Sequence, residues 1–323
     1  PNFSCQTLTE DIEIDNDLSL QSGGSECVEM AIDIDYYTFL EFNSNCYDAV
    51  DWALAVLAGV SEVYMAELDN MVFLQARYIN VWEIIENYDP LNDCSDMLDE
   101  MPNYWNNPPF DDINDQTDLV HLFSRKQANG GVAYVGATCD NNFGYGVSSG
   151  LNTNLAYNYP DNTPFSYNLS YIGHELGHNF GSPHTHSCTW DSDASFNFPG
   201  GAIDGCYPVE GNCSNPGNPP SQTWQQSLGT IMSYCYLSSI NETLEFHPIV
   251  ESQALIPTIN NSFCFGDCDN LETSCENAIY GCTDSIAENY NSQANINDNS
   301  CEYIYGCTSV NANNYNLEAT FDD

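Results

Sequence analysis

Positive charge is what this chain lacks. Its 323 residues include only three basic side chains, Arg77, Arg125 and Lys126, against 47 Asp and Glu, for a formal net charge of -44. Phosphate recognition needs clustered Lys and Arg, so nucleic acid is excluded as a partner class, and an anionic membrane surface with it. No apolar run reaches the roughly 18 residues of a spanning helix. The opening PNFSCQTLTE has neither the basic nor the apolar part of an export signal, so any signal or pro-segment is expected to have been removed already. A chain this acidic repels itself, which is tolerable where salt screens the charge or divalent cations neutralise it. It should also associate faster with basic than with acidic substrates at low salt.

What is present argues for a packed, disulfide-tied protein. With 42% hydrophobic and 13% aromatic residues, the chain can bury one substantial core and carry something smaller beside it. Fifteen cysteines with few metal-type C-x-x-C pairs read as disulfides in an oxidising, extracellular setting, and the odd number leaves one without a partner.

Residues 1–26 read as a loosely structured acidic extension tied down by Cys5. CVEMAIDIDYYTFLEF reads as a strand, CYDAVDWALAVLAGVSEVYMAEL as a long helix and MVFLQARYINVWEI as a second strand, a β-α-β start that favours parallel neighbours. A short helix is expected from Asp93 to Met101, then strands in DLVHLFSR, GGVAYVGATC and GYGVSSG. HPIVESQALIPTINN reads as a closing helix, with Pro248 in its first turn and Pro257 limiting its length. The expected main domain is 27–265, followed by a Cys-rich acidic linker over 266–279.

Two copies of a short repeat follow, 280–303 and 304–323. GCTDSIAENYNSQANIND and GCTSVNANNYNLEATFDD begin 25 residues apart. A unit this small has no core of its own, so Cys282 to Cys301 is its natural disulfide. The second copy ends before the matching cysteine, leaving Cys307 as the orphan and giving the chain a truncated look.

The chemistry concentrates in SYIGHELGHNFGSPHTH, Ser170 to His186, which holds four of the six histidines. His174 and His178 are one helical turn apart and share a face, so both imidazoles can reach one ion. Glu175, rotated by about a quarter turn, can reach a water there without being a ligand. Gly181 permits a tight turn that brings His184 back as a third ligand. Three neutral imidazoles leave a zinc ion an open position, and the chemistry that follows is amide hydrolysis with Glu175 as the base.

His174-Glu-Leu-Gly-His178-Asn-Phe-Gly181-Ser-Pro-His184 resembles the long metzincin signature H-E-x-x-H-x-x-G-x-x-H, and GTIMSYC at 229–235 resembles that clan's Met-turn, with Met232 beneath the metal. Within the clan the chain is most similar to the reprolysin (adamalysin) branch, over roughly Glu26 to Cys264. The resemblance implies an α/β (α+β) catalytic domain with a mixed twisted sheet, a long active-site helix and a Met-turn, acting as a secreted zinc endopeptidase on protein or peptide substrates. It implies that Gly131, Val132, Ala133, Tyr134 and Val135 form an upper-rim edge strand that pairs with extended substrate.

Two departures stand out. Reprolysins usually have Asp after the third histidine where this chain has Thr185, so a bracing carboxylate is missing or comes from elsewhere. Met232-Ser-Tyr234 instead resembles the Met-x-Tyr of astacins and serralysins, which implies that Tyr234 ligates zinc and then stabilises the tetrahedral intermediate. The reprolysin resemblance further implies a structural calcium held by Glu29, Asp118, the Cys264 carbonyl and Asp267, and a Cys139 to Cys264 disulfide. Cys188 to Cys235 and Cys206 to Cys213 are the remaining expected pairs.

His186, His121 and His247 read as structural or exposed rather than as ligands. The C-terminal repeats resemble Gly-Cys-Thr repeats that end many secreted proteins of Bacteroidetes, which implies bacterial export and a stalk or attachment role. Two rival readings are an adhesion module on a metalloprotease scaffold whose chemistry is silent, and a narrow zinc hydrolase of a non-protein amide. The intact Glu175 argues against the first, and an open edge strand, which reads peptide backbone, against the second.

Overall fold

The computed structural model describes residues 6–8, 25–152, 166–216, 228–238, 242–266, 268–275, 280–282, 285–291, 296–297, 300–307, 316 and 319. They fall into two compact units, 1–274 and 275–323.

The first unit is built on a mixed seven-stranded sheet in the order β1-β5-β6-β4-β2-β3-β7. Its strands are β1 (Gln6–Leu8), β2 (Glu26–Ile34), β3 (Val72–Val81), β4 (Leu119–Phe123), β5 (Gly131–Tyr134), β6 (Tyr145–Ser148) and β7 (Glu272–Thr273). Every pairing is parallel except β5 with β6. β2 and β4 sit in the middle and are almost wholly buried, as strands covered on both faces must be. The fold class expected from the sequence is the one observed.

The strand expected through Phe42 stops at Ile34. Asp35 accepts a hydrogen bond from Thr38 N (2.9 Å) and so caps a short helix, α1 (Tyr36–Glu41). α2 (Cys46–Glu67), capped by Asn45, crosses from β2 to β3 and buries Val56, Val60, Val63 and Tyr64. By length and composition α2 could span a membrane, and over half of that window is buried inside this fold. α3 (Cys94–Trp105) and α4 (Asp111–Asn114) precede β4.

The closing helix runs past Pro257. It begins at Pro248–Val250, passes through a π-helical stretch, Glu251–Leu255, and continues as Ile256–Asn261. Pro257 falls at the start of that last segment, and the helix closes four residues later at Asn261, the end of the stretch expected from the sequence. Its start is capped by His247, which accepts from Ile249 N at 3.1 Å.

Cys27–Cys268, Cys139–Cys264, Cys188–Cys213 and Cys206–Cys235 are bridged in this unit. The last two replace the expected Cys188–Cys235 and Cys206–Cys213. A bridge between Ser187 and Glu210 lays Cys188 near Cys213, while Ser238 donates to the Cys206 carbonyl and holds that loop against the end of the Met-turn. Among the described residues Cys94 and Cys307 are free thiols, so Cys307 is not the lone orphan. Cys5 lies outside the described residues.

The second unit has a two-residue parallel pair, β8 (Tyr280–Gly281) with β9 (Ile296–Asn297), and the expected Cys282–Cys301 disulfide. The repeat shows in its backbone: Asn291 N donates to Cys282 O and Asn316 N to Cys307 O, both at 2.9 Å.

Candidate active site

α5 (Tyr167–Asn179) carries the histidine segment, packed between α2 and the β5–β6 hairpin. Tyr64 on α2 donates to Gly173 O at 2.9 Å. At the other end, Gly136 N and Ala137 N, just beyond β5, donate to His178 O and Asn179 O at 2.8 and 3.0 Å. Those bonds satisfy carbonyls that a helix terminus leaves open, and they lock the helix to the strand that borders the cleft.

His174 and His178 stand side by side with ring centroids 4.8 Å apart. Gly181 then takes φ +86, and the chain reverses to bring the His184 ring to 5.3 Å from His174 and 4.7 Å from His178. The potential ligand atoms of all three lie within 4.8 Å of one another.

Each ring is held through Nδ1. That of His174 lies 2.6 Å from Ile231 O, that of His178 2.7 Å from Ser182 O, and that of His184 2.9 Å from Glu210 Oε1. A carbonyl or carboxylate oxygen only accepts, so Nδ1 carries the proton and Nε2 presents its lone pair. The Nε2 atoms of His174 and His184 are buried with no hydrogen-bond partner. Buried orphan acceptors are costly unless something fills them, and this donor set fits a divalent metal. Burial pushes His174 down to about 3, helped by the neighbouring His184, and lowers His178 and His184 as well, so the imidazoles are neutral as a metal requires.

Met232 is fully buried against the same helix. A Cβ on Gly177 would run into its sulfur, so glycine there is what lets the methionine close in. The Met232 carbonyl accepts from Thr185 N (3.1 Å) and Thr185 Oγ1 (3.2 Å), tying the turn to the residue after the third histidine.

Glu175 is buried, with its side chain against Gly131, where an added Cβ would lie 2.7 Å from Glu175 Cγ and Cδ. His174, Glu175, Gly131, Tyr234 and Glu242 border one cleft. The Tyr234 ring is 4.6 Å from that of His184 and 4.9 Å from that of His186, centroid to centroid.

The rim strand is not open. β5 pairs with β6 on one side, and on the other β1 runs parallel to it, Gln6 opposite Val132, Thr7 opposite Ala133 and Leu8 opposite Tyr134. Val135 lies just past the strand's end.

Glu29, Asp118 and Cys264 come together at a separate pocket, with Asp115 and Asp140 nearby. Asp118 Oδ2 accepts from Glu29 N at 2.8 Å, and burial raises the Asp118 carboxyl to about 7, with the Glu29 charge adding to the rise. Asp267 lies outside the described residues.

The other histidines are all buried: His121 bonds Ser148 Oγ at 2.9 Å, His247 caps the closing helix, and His186 lies 3.2 Å from Glu210. Glu210 is the site residue that motif reading passed over. It has no local signature, being 26 residues from His184 in sequence.

Residues 53–185 match the family described as metallo-peptidase family M12B, reprolysin-like, a match that stops just past the third histidine. Over those residues the chain is similar to a metzincin-like reprolysin domain. M12B enzymes are zinc-dependent metallopeptidases, in keeping with a three-histidine group able to hold a metal. Metalloproteinase-II from Bacteroides fragilis is similar at 15% identity and TM-score 0.34, covering 52% of this chain and 46% of that one. A chain from a structure described as a chaperone-substrate complex is similar at 13% identity and TM-score 0.39, covering 74% of this chain and 35% of that one. The reprolysin-like chain thus spans less than half the length of either. No curated protein sequence matches it.

Proposed function

We propose that this chain is a secreted zinc endopeptidase in which His174, His178 and His184 hold the metal and Glu175 is the general base. The observation that carries the reading is the pair of buried, unpartnered Nε2 atoms on His174 and His184 beside the buried carboxylate of Glu175. Zinc, when bound, supplies Lewis acidity for a water and for the scissile carbonyl. Glu175 accepts the attacking water's proton on a carboxylate oxygen and passes it to the leaving amine nitrogen. The Tyr234 hydroxyl donates to the oxyanion, Met232 underlies the histidines and Gly181 makes the third ligand possible. β5, from Gly131 to Tyr134 with Val135 beyond it, takes the substrate backbone as an added strand, which requires β1 to leave.

We extend the reading to a structural calcium at Glu29, Asp118, Cys264 and Asp267, supported by the convergence of oxygen donors around a carboxyl that burial alone leaves unfavourably charged. Secretion is supported by the disulfides, and a bacterial origin with an attachment role for 280–323 by the likeness of its repeats.

The test is casein hydrolysis. Activity should disappear with a zinc chelator, return on adding zinc, and fall by about 10²–10⁴ in Glu175→Ala. Full activity in that variant would refute the mechanism, and a purified chain without zinc would refute the metal assignment.

A further inference from the structure

Of the three histidines, two are aimed by main-chain carbonyls, Ile231 O and Ser182 O. His184 is aimed by a side chain. Its Nδ1 donates to Glu210 Oε1 at 2.9 Å, and the same oxygen accepts from His186 Nε2 at 3.2 Å. The two imidazoles stack on each other, centroids 4.8 Å apart and planes within 10°. One carboxylate oxygen therefore fixes both tautomers, because it can only accept.

The backbone brings Glu210 to this position by construction. Glu210 N donates to His186 O at 3.0 Å and Glu210 O accepts from Cys188 N at 2.9 Å, so it pairs directly with the segment that follows the third histidine. The Cys188–Cys213 disulfide closes the loop. Gly211, at φ +114, makes the turn where an added Cβ would lie 3.0 Å from Cys188 Cβ. Thr185 stands where reprolysins usually have a carboxylate. Here a carboxylate reaches the same neighbourhood from another part of the chain.

The geometry points to Glu210 as the positioning residue for the metal centre: it orients His184 and holds its proton on Nδ1, and His186 keeps Glu210 in place. This rests on the zinc reading above. A carboxylate behind a ligating imidazole raises its basicity and fixes its direction, and losing such a partner typically weakens metal binding by about 10–100-fold. The other two ligands offer no comparable handle, since no substitution removes a main-chain carbonyl.

The experiment is zinc affinity, read on metal-stripped protein by competition with a chromogenic chelator, with no turnover involved. Glu210→Ala is expected to weaken zinc binding by about 10–100-fold. Glu210→Gln, which keeps an oxygen acceptor, should lose less. The Glu210 side chain is 42% exposed, so truncation leaves no buried cavity, and the melting temperature of the stripped protein should hold. His186→Phe keeps the stacked ring and removes the second donor. It should weaken zinc binding less than Glu210→Ala does, and the double variant should be no weaker than Glu210→Ala alone, the mark of two residues acting through one contact.

If the parent chain binds no zinc, the functional reading fails. If the parent binds zinc and Glu210→Ala binds it within twofold as tightly, this inference fails. Two zinc ions on the parent, one of them lost in Glu210→Ala, would also overturn it, because Glu210 and His186 would then be ligands of a second ion.

Discussion

Two glycines one turn apart on α5 should respond to the same substitution in opposite directions. A Cβ on Gly177 would collide with the sulfur of Met232 and lie 3.2 Å from its Cε and 3.6 Å from its Cγ. Met232 is fully buried, so it has nowhere to swing. Overpacking of this kind costs about 1–3 kcal/mol, and the helix gains back about 0.8–1 kcal/mol from replacing glycine with alanine. The net for Gly177→Ala is a loss of up to about 2 kcal/mol, which for a domain of this size is a fall in melting temperature of up to about 8 °C. A Cβ on Gly173 would meet Ile231 Cγ2 at 3.6 Å and Cδ1 at 3.9 Å, ordinary contact. Only the helical gain remains there, so Gly173→Ala should raise the melting temperature by about 2–4 °C. Scanning fluorimetry on the two variants side by side reads the difference. A Gly177→Ala protein at least as stable as the parent would mean that Met232 does not press on α5 as described.

Tyr234→Phe keeps the ring against His184 and His186 and removes the hydroxyl, so kcat on a peptide substrate should fall by about 10²-fold with KM little changed; an unchanged kcat would reduce Tyr234 to packing. Deleting residues 1–24 removes β1 from the outer side of β5, and kcat/KM for an extended peptide should rise. Equal rates for the full and shortened chains would show that β1 does not compete with substrate. Calcium at 100 times its dissociation constant should stabilise the fold by about 2.7 kcal/mol, or roughly 5–10 °C, and Asp118→Asn should lose most of that gain. No thermal response to calcium in the parent chain would refute the site.

The elements that read correctly from sequence are those set by short-range spacing. His174 and His178 are four apart on a helix, and Gly181 announces the reversal that returns His184. β2, α2 and β3 declare themselves by period: β2 is buried on both faces, while α2 and the first half of β3 bury one face and leave the other partly exposed. What failed was decided by single side chains or by distant backbone. Tyr36 to Glu41 has strand-like composition, yet the Asp35 carboxylate reaching Thr38 N is enough to start a helix. The disulfides among Cys188, Cys206, Cys213 and Cys235 depend on the bridge between Ser187 and Glu210, a contact with no trace in the local pattern. Glu210 was illegible for the same reason.

The shortage of cations bears directly on the chemistry of the cleft. Arg77 pairs with Asp269 and Glu272, Arg125 with Glu41, and Lys126 donates to the Asp89 carbonyl. All three basic residues of the chain are thus engaged elsewhere, and none borders the cleft that holds His174, Glu175, Tyr234 and Glu242. Amide hydrolysis builds negative charge on the carbonyl oxygen, and many enzymes meet it with Arg or Lys beside main-chain donors. This chain has no such residue to offer, and the imidazoles of His174, His178 and His184 are held neutral by burial, against the opposing pull of the acceptors at Nδ1. On the zinc reading, the sole positive charge the cleft is built to carry is an ion on three histidines, and the remaining help comes from neutral hydroxyls such as that of Tyr234. The precision with which His184 is aimed then matters more here than in a cleft with a spare guanidinium, which is why a half-exposed glutamate clamped by His186 has functional weight.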